Sequence, residues 1–286
     1  MSLDLDQRQR AMLQEMGVRV WWAPTAPPAS GQVATQTIAA RTIDTHATGK
    51  KLVDLATTPT TQAVTSAPMD GVAAMDWTAL TQAVTQCRAC GLCERRRLPV
   101  FGGGGAPQRA DWLVLGEPVD DEEERQGAPF VGASGQLLDN MLKAVGVSRR
   151  ESASERAGAE SAYVTNCVKC RPAKVRNPQA TELQTCENFL RREVALVQPK
   201  IILALGRFAA QTLLQGSASD VAAAPLGKLR ATVHRYQGIA VVVSYAPTSL
   251  LRNPQDKARA WADLCLAMRT LEAEAGTAGR ATGPPD

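Results

Sequence analysis

The chain has 286 residues and a formal net charge of +4 at pH 7, and 44% of its residues are hydrophobic and 21% charged. This length predicts one large domain, or one domain with extensions, and enough chain to bury a core. No apolar run approaches the roughly 20 residues that a membrane-spanning helix needs, which excludes an integral membrane protein. The first residues, MSLDLDQRQR, lack the apolar segment of a secretory signal, so we expect a cytoplasmic protein.

Residues 1–22 form the first predicted part of the chain. Their pattern predicts a short helix followed by an extended segment that contains Trp21 and Trp22. Because large aromatic side chains are favoured interface anchors, one interpretation is a docking peptide that binds a protein partner through residues 3–22. The alternative is that this peptide folds back onto the main domain.

Three further parts follow. Residues 23–75 are rich in Ala, Thr and Pro and show no sustained period. We expect them to be a disordered linker, because they cannot bury enough apolar surface to offset the entropy of ordering. Strands and helices alternate in residues 76–273, which we expect to form the folded domain. The polar residues 274–286 are expected to be a flexible tail.

The folded domain is predicted to be α/β. Its expected strands are apolar runs at 112–116, 162–166, 201–206 and 239–245, and its helices are expected to begin near Asp76, Ser134, Thr181, Arg207 and Pro254. Continuous apolar strands that alternate with helices are typical of a three-layer sandwich, with a central, mainly parallel sheet of four strands covered on both faces. Ligands of such sheets bind at the carboxyl ends of the strands.

The cysteine content points to metal ligation or to ordinary burial. Seven cysteines are an odd number, which argues against a disulfide scaffold in a reducing compartment. Thiolates are soft ligands that select zinc, copper(I) or iron–sulfur clusters, and a closed centre needs four of them. The alternative is that all seven are small buried hydrophobes. Because the chain has two histidines, a histidine-rich site is excluded.

The positions of the cysteines favour some ligands over others. Cys87 and Cys90 form a CxxC pair that can chelate one centre from adjacent positions. Cys170 follows the end of a predicted strand, and Cys186 lies on the next helix. Cys167 is expected to pack in the core. Spacing alone allows several sets of four and does not choose the metal.

The loop after the first strand carries the most specific motif. It reads GEPVDDEEERQGAPFVGASG from 116 to 135, an acidic run followed by Pro-Phe-Val-Gly before a helix. It resembles the first motif of the family 4 uracil-DNA glycosylases, which are iron–sulfur enzymes. Further similarities lie at 87–90, 100–102, 163–172, 199–206 and 250–261. The resemblance covers about residues 76 to 273 and implies a uracil-DNA glycosylase-like fold.

The resemblance implies a [4Fe-4S] cluster. Its ligands would be Cys87, Cys90, Cys170 and Cys186, which agrees with the set that spacing favours. In the family the cluster is regarded as structural, holding DNA-facing loops in place. We therefore expect an iron–sulfur cofactor that does not itself react.

The resemblance also implies roles for individual site residues. Glu117 and Glu123 correspond to catalytic carboxylates. Phe130 corresponds to the ring that stacks on uracil, and Asn166 to the amide that reads the uracil edge. Further residues of the substrate loops are Gly116, Pro118 and Ala246. The residues expected to contact DNA are Pro247, Thr248, Leu251, Arg252 and Lys257. The implied partner is uracil-containing DNA, bound by a monomer.

The chemistry explains these residue types. A base must leave the duplex before its glycosidic bond can be reached. A flat ring such as Phe130 offers a stacking face, and the amide of Asn166 has a donor and an acceptor with which to distinguish uracil from cytosine. Cleavage builds positive charge on the sugar and negative charge on uracil, which carboxylates and donors can stabilise. Without the resemblance, these residues also fit a helix cap, a core ring and a turn hydrogen bond.

The sequence departs from the family pattern in both catalytic motifs. Ala246 stands where the family has a histidine that donates to uracil O2, and losing one such donor typically costs roughly 10²–10³ in rate. Pro118, Val119 and Asp120 replace Ala-Pro-Gly, and Asp120 adopts a positive φ less readily than glycine. Three hypotheses follow: a uracil-DNA glycosylase of base-excision repair with weakened activity, a non-catalytic DNA-binding or partner-recruiting relative, and a zinc-stabilised domain.

Overall fold

The computed structural model describes residues 69–103, 109–149, 160–173, 176–215 and 224–281, with side chains from 71 to 275. The predicted N-terminal peptide, residues 1–22, and most of the predicted linker, residues 23–75, lie outside the described residues. Among the helices that are described, none is both long and apolar enough to cross a membrane.

A six-stranded sheet forms the middle layer of the described structure. Its strands are β1 (Trp112–Gly116), β2 (Val147–Ser148), β3 (Glu160–Asn166), β4 (Ile201–Leu205), β5 (Val233–Tyr236) and β6 (Ile239–Ser244). They lie in the order β2-β3-β1-β4-β6-β5, and every pair is parallel except β5 with β6. The four expected strands are confirmed as the parallel centre of the sheet, and two edge strands extend it.

Both edge strands lack the apolar run by which the central strands were predicted. β2 has two residues, and it follows Gly146, which has a φ of 78°. β5 reads Val-His-Arg-Tyr and is mostly exposed. It joins β6 through Gln237 and Gly238, whose φ values of 50° and 84° are typical of a tight hairpin turn.

Helices cover both faces of the sheet. They are α1 (Trp77–Gln86), α2 (Asp121–Gln126), α3 (Gly132–Ala144), α4 (Ala180–Val197), α5 (Arg207–Leu214), α6 (Leu226–Leu229), α7 (Pro247–Arg252) and α8 (Lys257–Ala281). Two apolar clusters fill the spaces between the layers. Successive β1 residues alternate between them, since Leu113 and Leu115 belong to the cluster with α1 and α4, and Trp112 and Val114 to the cluster with α3 and α8. The predicted three-layer architecture is therefore confirmed.

Two helix starts test the predicted caps. Asp76 caps α1 as expected, because its Oδ1 accepts the backbone N–H of Ala79 at 2.8 Å. The predicted cap at Ser134 is wrong, since α3 begins at Gly132 and Val131 occupies the cap position. Ser134 lies in the first turn, where its hydroxyl donates back to the Val131 carbonyl at 3.0 Å.

The ends of the folded domain differ from the predicted boundaries of 76 and 273. Met69–Ala74, assigned to the linker, forms a 3-10 helix that packs on α4 and buries Val72. At the other end, α8 continues into the predicted tail and ends at Ala281. Alanine is the best helix former, and the first proline of this segment stands at 284, so nothing stops the helix at 273.

Candidate active site

Glu117 follows the carboxyl end of β1. Its Oε1 accepts the backbone N–H of Phe208 at 2.9 Å, in the first turn of α5. Gly206, with a φ of 105°, leaves the room that this carboxylate fills, because an added Cβ would lie 2.1 Å from Glu117 Oε1. Burial raises the pKa of Glu117 to about 7, although the N–H groups of α5 oppose the rise. The carboxyl group of Glu117 therefore changes its protonation state near neutral pH.

Glu123 lies in α2, and its carboxylate holds the acidic loop together. Its Oε2 accepts the backbone N–H of Asp120 at 3.0 Å, and its Oε1 accepts that of Phe130 at 2.7 Å. Burial raises the pKa of Glu123. Asp120 completes a capping box with a φ of −95°, so the expected conflict with a positive φ is wrong.

Asn166 ends β3 opposite Gly116 in the register of the sheet. Its Nδ2 donates to the Glu117 carbonyl at 2.9 Å and to Glu123 Oε1 and Oε2 at 3.3 and 3.2 Å. All these partners accept, so the orientation of the amide is determined. Its Oδ1 is buried without a hydrogen-bond partner among the described residues. Such an orphaned acceptor needs a donor from a ligand or a water molecule.

Phe130 lies over the end of β1. Its ring packs against Gly116, where an added Cβ would lie 2.5 Å from Phe130 Cζ. The residue has a φ of 51°, an uncommon conformation for a bulky side chain, which clusters at functional sites. The residue is 5% exposed, and it belongs to the apolar cluster on its face of the sheet. It therefore combines the predicted place beside Asn166 with the alternative role of a core residue.

The structure thus brings four predicted residues together. We call Glu117, Glu123, Phe130 and Asn166 the strand-end site. Gly116 is buried beneath it, and Pro118 is half-buried in the loop that follows.

Ala246 reaches the same edge of the sheet. The preceding strand, β6, ends at Ser244, whose carbonyl accepts the backbone N–H of Gly206 at 2.9 Å. Ala246 is buried at the start of α7, and α7 packs against α3. Ala246, which replaces the family's histidine, therefore lies at the carboxyl edge of the sheet as expected, but it offers no side-chain donor. His234 lies on β5, where its Nε2 contacts the Leu229 carbonyl at 2.8 Å.

Four of the five residues predicted to contact DNA lie in α7, and the fifth is the first residue of α8. Thr248, Leu251 and Arg252 are exposed, and Lys257 is half-buried at the start of α8. Leu251 is one of the exposed large hydrophobic side chains of the described surface, at 43%. Pro247 is buried, because it is the first residue of α7 and its ring packs inward. The structure therefore places it beneath the surface that was predicted to include it.

Four of the cysteines line a single small cavity. They are Cys87, Cys90, Cys170 and Cys186, and we call this space the cysteine cavity. Cys87 is the C-cap residue of α1, Cys170 follows β3, and Cys186 lies on α4. Cys167 is fully buried in the core, as expected. None of the seven cysteines forms a disulfide bond.

Two hydrogen-bond donors contact sulfur atoms of the cysteine cavity. Arg96 Nη1 donates to Cys170 Sγ, and the backbone N–H of Lys169 donates to Cys186 Sγ, both at 3.3 Å. Burial raises the pKa of Cys170 to about 11 and that of Cys186 to about 12, so a metal centre must displace their protons. In the part of the chain that the structure describes, no group of three or more His, Cys, Asp or Glu residues is arranged to hold a metal ion.

Two charged pairs near the site, each with at least one buried partner, have no counterpart among the residues predicted from the sequence. Lys169 Nζ lies 2.7 Å from Glu193 Oε2, and their side chains are 2% and 0% exposed. Arg171 Nε lies 2.7 Å from Glu124 Oε2. The signal for Glu193 was its place beside Leu190 and Val194 on the apolar side of a helix, where a charge needs a partner.

The sequence is also similar to known proteins. A model of the Uracil DNA glycosylase superfamily matches residues 103–265. The type-4 uracil-DNA glycosylase of Archaeoglobus fulgidus is 31% identical over 180 residues, which are 62% of this chain and 83% of that protein. The type-4 enzyme of Thermotoga maritima is 32% identical over 181 residues, 63% of this chain and 85% of that protein. A type-5 uracil-DNA glycosylase of Pyrobaculum aerophilum is 35% identical over 143 residues, 48% of this chain and 61% of that protein.

The superfamily match spans more than half of the chain and contains the whole strand-end site, together with Cys170 and Cys186. The matched part of the chain covers more than four fifths of the length of the Archaeoglobus fulgidus and Thermotoga maritima enzymes. The chain belongs to the uracil-DNA glycosylase superfamily.

Proposed function

We propose that this protein is a uracil-DNA glycosylase, which hydrolyses the N-glycosidic bond of deoxyuridine in DNA during base-excision repair. The relatives that bear this name support the activity. One observation carries the proposal to the residues of this chain: the buried, unpartnered Oδ1 of Asn166 lies at the carboxyl end of the sheet. Ligands of parallel sheets bind at that edge.

The orphaned acceptor selects uracil. Uracil carries a hydrogen on N3, which can donate to Asn166 Oδ1, whereas N3 of cytosine is an acceptor and would face another acceptor. Asn166 cannot turn its amide to accommodate cytosine, because Nδ2 already donates to the Glu117 carbonyl and to Glu123. Discrimination therefore rests on one acceptor held in a fixed orientation.

The flipped base would lie beside Phe130. An extruded base loses its stacking in the duplex, and an aromatic ring can replace part of that interaction. The ring of Phe130 packs against Gly116, and the backbone N–H of Phe130 donates to Glu123. The stacking surface is therefore positioned before the base arrives.

Glu117 is the group best placed to act on the reacting atoms. When the bond between C1′ and N1 breaks, its electron pair leaves with uracil and positive charge develops on the sugar. The Glu117 carboxylate stabilises that charge and accepts a proton from the water molecule whose oxygen bonds to C1′. A pKa of about 7 keeps much of this group ionised at neutral pH. Glu123 has both oxygens occupied, so we assign it the positioning of Phe130 and Asn166.

The departing uracil anion receives no side-chain donor from Ala246. This favours a slower enzyme, because one preorganised donor is typically worth roughly 10²–10³ in rate. The alternative of a non-catalytic relative rests on this position, on the acidic pair Asp120 and Asp121, and on the Trp21-Trp22 peptide. The relatives reported above are named as enzymes.

The cysteine cavity is proposed to hold a [4Fe-4S] cluster through Cys87, Cys90, Cys170 and Cys186. These four thiols share one cavity, and sulfur donors suit iron–sulfur centres. Hydrogen bonds to two of the sulfurs, from Arg96 and from the Lys169 backbone, would stabilise thiolate ligands. A bound cluster would crosslink α1, the end of β3 and α4.

The proposed partner is uracil-containing DNA, bound by a monomer in the cytoplasm. Exposed Thr248, Leu251 and Arg252 on α7 would contact it, with Lys257 beside them. An exposed leucine suits the space that a flipped base leaves in the duplex, and a basic side chain suits the phosphates. Residues 3–22 are proposed as a docking peptide for a protein partner.

The experiment is a uracil-release assay on an oligonucleotide with a single deoxyuridine. We expect abasic sites with the unchanged protein, and a loss of product in Glu117→Gln and Asn166→Ala. Asp121→Asn is the matched control, because Asp121 is a half-exposed acid at the start of α2, close in sequence to Glu117. If the unchanged protein forms no more abasic sites than Glu117→Gln, the proposed activity is wrong.

A further inference from the structure

Glu124 is a buried acid that the proposed reaction does not use. Its side chain is 1% exposed. Its Oε2 accepts a hydrogen bond from Arg171 Nε at 2.7 Å, and its Oε1 accepts the backbone N–H of Arg97 at 3.0 Å. Each carboxylate oxygen therefore holds a different loop, and such an arrangement restricts both loops relative to α2.

The two loops held by Glu124 are those that bring cysteines to the cysteine cavity. Arg171 directly follows Cys170, and Arg97 lies in the segment after the CxxC pair. The loops are also joined to each other, because Arg96 Nη1 donates to Cys170 Sγ at 3.3 Å. The position of Glu124 therefore depends on how these two cysteine loops are arranged.

Glu124 is also tied to the strand-end site through its neighbour. Glu123 precedes it in α2, a helix of six residues that a capping box closes at its start. Glu123 accepts the backbone N–H of Phe130 at 2.7 Å and both contacts from the Asn166 amide. A shift of this short helix would therefore move the partner that holds both Phe130 and Asn166.

We propose that Glu124 is a positioning residue that couples the two cysteine loops to the strand-end site. The link consists of contacts in series: cysteine loops to Glu124, Glu124 to Glu123 through α2, and Glu123 to Phe130 and Asn166. Its consequence for uracil release rests on the proposed function, whereas its consequence for the order of the acidic loop does not. A merely structural role would lower the free energy of unfolding without loosening Phe130 in the folded state.

The test compares Glu124→Gln with Asp121→Asn. Both remove one negative charge from α2 near Arg171, but Asp121 is 52% exposed and its Oδ1 lies 3.7 Å from Arg171 Nη2. The glutamine oxygen can still accept the backbone N–H of Arg97. Its NH2 group is a donor, however, and therefore cannot accept from the Arg171 guanidinium. The first readout is amide hydrogen exchange at Phe130 in the folded full-length protein. The second is kcat/KM for uracil release, with the visible absorbance and thiol count of each variant recorded alongside.

In Glu124→Gln we expect Phe130 to exchange about ten-fold faster and kcat/KM to fall about 10- to 100-fold, because small misplacements of binding groups are costly. In Asp121→Asn both should stay within about two-fold of the unchanged protein. Arg171→Gln should cause a smaller loss, and combining it with Glu124→Gln should add nothing, since the two residues share one interaction.

If the Phe130 amide exchanges at the same rate in Glu124→Gln and in Asp121→Asn, the coupling is wrong. This holds even where the unchanged protein releases uracil. An additive effect in the Arg171→Gln/Glu124→Gln double variant would overturn it as well. If the unchanged protein releases no uracil while Glu124→Gln still speeds the exchange of Phe130, the coupling stands and the proposed function fails.

Discussion

The side-chain amide of Asn166 donates to both carboxylate oxygens of Glu123, at 3.3 and 3.2 Å, across 43 positions of the sequence. The same carboxylate accepts the backbone N–H of Phe130 at 2.7 Å. One acid therefore sets the orientation of the amide proposed to read uracil and the position of the ring proposed to stack on it. This role differs from the catalytic role that the resemblance implied for Glu123.

Glu123→Gln tests that role. Asn166, Phe130 and Asp120 all donate to Glu123, and a glutamine would replace one acceptor with a competing donor. We expect the free energy of unfolding to fall by about 1–3 kcal/mol and kcat/KM to fall on the order of 10²-fold. Chemical denaturation and uracil-release kinetics measure the two effects. Glu122→Gln, one position earlier in the same helix, is the control and should change neither appreciably.

The pH dependence of activity should report Glu117. Burial raises its pKa to about 7, and the proposed mechanism needs the carboxylate. The fraction of carboxylate increases as the pH rises through the pKa, so kcat/KM should increase up to about pH 7 and level off above it. The measurement is uracil release from pH 5 to 9. A profile that falls with rising pH in this range would contradict the assignment.

Gly116→Ala should disturb the strand-end site without breaking the sheet. The added methyl would lie 2.5 Å from Phe130 Cζ, so the ring must move away from the end of β1. We expect kcat/KM to fall at least about ten-fold, because the stacking surface is displaced. Gly227→Ala is the matched control, since an added Cβ there meets nothing within 4 Å.

Ala246→His should restore the donor that the second motif lacks. Ala246 is buried at the start of α7, at the edge of the sheet that holds the strand-end site. If the chain is a weakened enzyme, kcat should rise on the order of 10²-fold, which is the typical worth of one preorganised donor. Single-turnover kinetics separate this gain from changes in DNA binding. An unchanged kcat would indicate that other groups already stabilise the uracil anion.

Cys186→Ser should remove the proposed cluster, whereas Cys265→Ser should leave it intact. Cys186 lines the cysteine cavity, and Cys265 lies half-buried in α8. We expect broad visible absorbance and bound iron in the unchanged protein and in Cys265→Ser, and their loss in Cys186→Ser. A colourless unchanged protein with stoichiometric zinc would instead support the zinc-stabilised alternative.

Much of the fold follows from local patterns. The apolar runs predicted β1 and β4, and the helical period predicted α4 to within one residue at its start. The edge strands β2 and β5 were missed, because one has two residues and the other has four, of which only Tyr236 is buried. Local patterns reveal elements that bury a face, and these strands bury little.

The sequence by itself determined the sheet with its covering helices, the family motifs and the four cysteines, because periodicity and motif spacing are properties of neighbouring residues. Only the tertiary structure decided what Glu123 and Glu124 do. Their partners, Asn166 and Arg171, become neighbours through the parallel pairing of β1 with β3. Whether a carboxylate faces a substrate or holds a loop depends on which distant donors reach it, and that is fixed by packing.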